Sequence, residues 1–188
     1  MDLLKVKTAK SFVGADFLTW LWFASEEGDG RFEVEDVGEV TVIVDDQIVL
    51  SAEHSDAREN VLRKGNPALC AEAGAALAVG KKVARMKIRI ETDEADLLLT
   101  LDSDDLDVRG LRIPNSAGPT TVEKVIERSE WLLLVSAIVD GLFSRFLAVR
   151  LGGDWEKGTL ARMRDWVRVK DGEAVASGVE DRSMRIRP

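Results

Sequence analysis

An α+β fold, a mixed or antiparallel sheet of five to six strands packed by a central helix and a long C-terminal helix, is predicted by three observations. Residues 39 to 113 hold short β-branched or alternating runs, residues 67–79 form an alanine-rich segment between them, and residues 119–151 repeat apolar side chains every three or four positions. Together these give a β-β-β-α-β-β-β order followed by helix. At 188 residues, 45% hydrophobic and 32% charged, the chain has the size and composition of a soluble globular domain with a sizeable core. The expected organisation is a segment over 1–13, one domain over 14–170 and a loose tail over 171–188, where periodicity is lost.

The first element is a helix over 15–26, where Phe17, Leu21 and Ala24 share a face and Gly28 and Gly30 end the pattern. Leu18, Trp20, Trp22 and Phe23 fill much of the remaining circumference, so the helix must be covered nearly all round. Two coverings satisfy that requirement, the chain's own core or a second copy. The second makes Phe17, Trp20, Trp22 and Phe23 a homodimer interface.

Glu39–Val44 and Ile48–Ala52 read as a hairpin turning at Asp45, Asp46 and Gln47, with a third strand near Glu59–Lys64. Pro67 opens the alanine-rich helix, whose small residues permit close packing, and Gly80 ends it. A strand over 82–91 follows, then strands at Leu97–Leu101 and Leu106–Ile113. Pro119, Thr120 and Glu123 form a capping-box start for a helix that runs to about Leu151 and stops at Gly152 and Gly153. Asp154 caps a shorter helix carrying Trp155, Leu160, Met163, Trp166 and Val167.

Charge is segregated along the chain. The formal net charge is −8, yet five cations fall in the twelve residues Gly80–Glu91. In a strand, Met86, Ile88 and Ile90 take one face and Arg85, Lys87 and Arg89 the other. Like charges at this spacing repel unless carboxylates or an anionic ligand face them. The rail is therefore either a solvated outer sheet face or a phosphate-backbone contact made by Lys81, Lys82, Arg85, Lys87 and Arg89, with Arg63 and Lys64 beside it. Residues 14–59, with thirteen acids against Arg31 and Arg58, offer the opposite sign.

No catalytic constellation emerges. The single Cys70 and the single His54 exclude a Cys/His zinc cluster and an intramolecular disulfide, which suits a reducing compartment. The glycine pairs match neither a P-loop nor a dinucleotide fingerprint, and Asp102, Asp104, Asp105 and Asp107 fit no EF-hand register. No enzyme activity, metal or cofactor is expected. MDLLKVKTAK lacks the pattern of a signal peptide, and Trp131–Val139, closed by Asp140, is about half the length that spans a bilayer, so a cytoplasmic location is expected.

Three segments in order, GADFLTWLWFASEEGDGRF (Gly14–Phe32), NPALCAEAGAALAVGKKVARMKIRI (Asn66–Ile90) and FSRFLAVRLGGDW (Phe143–Trp155), resemble the C-terminal portion of the bacterial recombination-associated protein RdgC. Family members carry a long N-terminal half before the tryptophan-rich helix, where about thirteen residues precede it here. The resemblance implies a non-enzymatic, sequence-independent DNA-binding protein, nucleoid-associated, that forms a ring-like dimer on duplex DNA and restrains RecA-driven recombination. The alternative from the residues is a protein-interaction or oligomerisation module without DNA binding, its basic strand meeting the acidic stretch 26–59.

Overall fold

The computed structural model describes residues 3–52, 59–63, 65, 70–115 and 118–184. Its elements are α1 (Leu3–Glu27), β1 (Arg31–Val34), β2 (Gly38–Ser51), β3 (Asn60–Arg63), α2 (Ala71–Ala78), β4 (Lys82–Glu91), β5 (Asp96–Asp102), β6 (Val108–Arg112), α3 (Thr121–Leu151) and α4 (Leu160–Met184), with one π-helical turn at Trp155–Thr159 before α4. The fold is α+β. Six strands form one antiparallel sheet ordered β1-β2-β4-β5-β6, and β3 pairs with the second half of β2.

Alternation decides which face is covered. Val42, Ile48, Leu50, Met86, Ile88, Ile90, Leu97, Leu99 and Leu101 point inward and are buried. The helices lie against that face, with α1 across β4 and β2 and α3 reaching β1. The register expected for 82–91 and 97–101 is the register observed.

The anticipated hairpin is absent. Residues 38–51 form one long strand, and both halves pair with β4, from Thr41 opposite Glu91 to Ser51 opposite Lys82. Where a turn was expected, Asp45, Asp46 and Gln47 sit between the pairs Val44–Ile88 and Ile48–Met86, so three residues oppose Lys87 alone. The insertion adds two residues, and two residues preserve the inward phase of Val42 before it and Ile48 after it. The strand count expected for the sheet survives because β1, whose Phe32 and Val34 are buried, makes up the strand lost when the two halves of β2 merge.

α1 is longer than 15–26 and runs back through the 1–13 segment as far as Leu3. Its apolar circumference is spent inside the chain: Phe17, Trp20, Trp22 and Phe23 are all under 5% exposed. This corrects the homodimer assignment of those four residues, because aromatic neighbours from three other elements already cover them. Phe17 meets Phe143 edge to face at 5.3 Å, Trp20 meets Phe32 at 6.2 Å, and Trp22 and Phe23 both meet Trp166. Thr19 adds a polar stitch, its hydroxyl donating to the Ala15 carbonyl and accepting the buried Val83 N–H at 3.0 Å.

α2 ends as its sequence implies. Gly80, at φ +85, donates to the Leu77 carbonyl and Lys81 donates to the Ala76 carbonyl, a Schellman closure that favours glycine. Pro67, expected to open this helix, lies outside the described residues. Cys70, expected within it, is the half-buried residue just before it. At the N-terminus of α3, Thr120 and Glu123 complete the capping box, and Gly152 ends the helix. The tail expected from 171 is helical instead, since α4 continues to Met184.

Candidate functional site

The basic strand β4 lies in the middle of the sheet. Arg85, Lys87 and Arg89 project to the face opposite the helices. Carboxylates meet the first two. Arg85 donates through Nε at 3.0 Å and Nη2 at 2.8 Å to Oδ2 of Asp102, its direct cross-strand neighbour on β5. Lys87 donates to Oδ1 of Asp46 at 2.7 Å, with Asp45 at 3.9 Å, so the β2 bulge holds the strand's central cation. Lys82 turns back to Asp16 of α1 at 2.7 Å, and Lys81 donates to the Asn60 side chain at 2.6 Å.

Burial by itself would raise the Asp102 carboxyl. The Arg85 hydrogen bonds, the Asp104 amide and the charges of Arg85 and Arg109 outweigh it and hold the group below the usual carboxylate range. The Lys87 hydrogen bond and charge lower Asp46 in the same direction against a smaller opposing effect of burial. Arg89 differs. It is exposed, opposite Ile43 on one side and Leu98 on the other, and no ion pair reaches it among the described residues. Arg112, exposed on β6, also faces Leu98. Arg63 is exposed on β3 opposite Gln47, while Lys64 and His54 lie outside the described residues.

A set of exposed apolar side chains lies elsewhere, on α3. Val135, Ile138, Val139, Leu142 and Phe146 of α3 are buried against the body. Val122, Val125, Ile126, Leu132 and Leu133 are 53 to 72% exposed on a different side of the same helix. In the sequence, Val122, Val125, Ile126, Leu132, Leu133, Val139, Phe143, Phe146 and Leu147 read as a single repeat at spacings of three and four. The signal of two faces is the run Trp131–Val135, five consecutive apolar residues that cover more than one turn and allow the stripe to change phase. By length and composition α3 could also cross a membrane.

A last cluster joins α1 to α4. Glu26, Trp22, Trp166 and Lys170 converge there, with Lys170 buried. Its members fall in segments about 140 residues apart, so nothing in their spacing announces it. Among the described residues no group of three or more His, Cys, Asp or Glu side chains is arranged to hold a metal ion. No protein-family model matches this chain, and no curated protein matches it.

Proposed function

We propose that this chain is a non-enzymatic interaction module that forms a homodimer through the exposed apolar stripe of α3. The observation that carries this reading is the exposure of Val122, Val125, Ile126, Leu132 and Leu133 on one helix, a surface unlike the scattered single apolar residues of an ordinary exterior. Ser129 and Ser136, exposed on the same side, are small enough to let a second helix approach closely. Packing one such stripe on its copy removes both from water in a single isologous contact. Sedimentation of the wild type should show a concentration-dependent dimer, and Leu133→Glu should move it to monomer with an unchanged circular dichroism spectrum. A wild type that stays monomeric at high concentration, or that floats with neutral phospholipid vesicles through this helix instead, would overturn the reading.

A second reading, contact with a DNA backbone, is favoured by one observation. The helix-free face of the sheet presents Arg89 without a carboxylate partner among the described residues, and Arg112 is exposed nearby. It is also what the RdgC resemblance implies, with recombination proteins as further partners. Pairing within the chain takes Arg85 and Lys87 out of the principal role. A duplex of arbitrary sequence should then bind at low salt, and Arg89→Gln with Arg112→Gln should reduce the salt slope by up to about two units, roughly one per lost phosphate contact. Absence of binding at low salt sinks this reading without touching the first.

A further inference from the structure

Lys170 is only 7% exposed, and its ammonium sits between α4 and α1. Nζ is 3.0 Å from Oε2 of Glu26, 5.3 Å from the centroid of the Trp22 ring and 5.4 Å from that of Trp166. The two indoles meet edge to face at 5.0 Å, inclined by 89°. Both rings are fixed by the same carboxylate: Trp22 Nε1 donates to Oε1 of Glu26 at 2.7 Å and Trp166 Nε1 donates to Oε2 at 2.8 Å. One carboxylate thus orients two aromatic walls and supplies the counter-charge to the cation they enclose.

Such a combination recognises alkylammonium. The ring quadrupoles attract a cation, the carboxylate neutralises it, and the walls accommodate its carbon stem. If α4 needed only to be glued to α1, an apolar residue at 170 would do so without desolvating a charge. The backbone brings the lysine to this place closely, because a Cβ at Gly74 of α2 would lie 2.5 Å from the Lys170 carbonyl oxygen.

We propose that Trp22, Trp166 and Glu26 form an alkylammonium-binding site that Lys170 occupies in cis, so that α4 is fastened by its own lysine and the emptied site accepts a free alkylammonium ion. The test uses the full chain carrying Lys170→Ala, with n-butylammonium chloride as the probe and n-butanol and sodium chloride as controls. The substitution is expected to lower the melting temperature by at least about 2–4 °C, the shift that losing one such interaction gives in a chain of this size. Butylammonium should restore most of that loss saturably, with a matching change in tryptophan fluorescence, and neither control should do so. Rescue by butanol as well, or by nothing, overturns the proposal. Should Lys170→Ala fail to fold, Lys170→Met and Glu26→Gln are combined in a double-mutant cycle. A coupling of about tenfold or more in the unfolding constant is expected, and additive effects overturn the proposal.

Discussion

Asp102 shows at the scale of one residue how the acidic loop serves the basic strand. Its side chain is 8% exposed, and it receives Arg85 twice on Oδ2, the Asp104 amide on Oδ1 at 3.2 Å, and Arg109 at 3.5 Å. In the folded state its pKa is held below the unfolded value of about 3.9. A depressed carboxylate stabilises the fold fully above the unfolded value, and that stabilisation is lost as the pH falls through the folded one. Asp102→Asn should therefore cost on the order of 1–2 kcal/mol at neutral pH, between the worth of a charged hydrogen bond and that of a solvent-screened ion pair. The penalty should shrink as the pH falls below the unfolded value. Urea unfolding at pH 7 and pH 3 measures this, and parallel pH dependence of the two proteins would contradict it.

At the scale of elements, the paired strands β2 and β4 turn a row of like charges into a cross-braced sheet. The bulge at Asp45–Gln47 and the strand end at Asp102 place acids beside Lys87 and Arg85, while Arg89 is left between apolar neighbours. The three cations alternate identically in the sequence, so only cross-strand pairing distinguishes them. Arg85→Gln should lower stability by about 1–2 kcal/mol, discounted because the arginine is 40% exposed. Arg89→Gln should stay within about 0.5 kcal/mol of the wild type. Chemical denaturation of the two single variants separates them, and equal losses would show that the bracing does not follow the observed pairs. The register of β4 and β5 was legible because Met86, Ile88 and Ile90 on one strand and Leu97, Leu99 and Leu101 on the other are buried in alternation. The continuity of β2 was not, since an acidic triplet between two β-branched runs suits a turn and a bulge equally well.

For the whole molecule, a net charge of −8 opposes indiscriminate phosphate binding, and the internal pairing of Arg85 and Lys87 removes two cations from any surface field. Among the described residues, the proposed readings rest on the exposed apolar side chains of α3 and on Arg89 and Arg112 of the open sheet face. The amino-acid sequence by itself determined the α+β class, the inward set of β4 and β5, the Schellman end of α2 and the capping box of α3, because each depends on neighbours a few residues apart. Tertiary structure alone decided where the longer-range choices fell. It buried Phe17, Trp20, Trp22 and Phe23 within the chain, left Val122, Val125, Ile126, Leu132 and Leu133 exposed, gave Arg85 and Lys87 their carboxylates, and enclosed Lys170 between Trp22 and Trp166. The physical reason is common to all four. A side chain's periodicity shows that it needs a cover or a counter-charge, but the partner comes from a distant segment whose approach is set by packing the whole core.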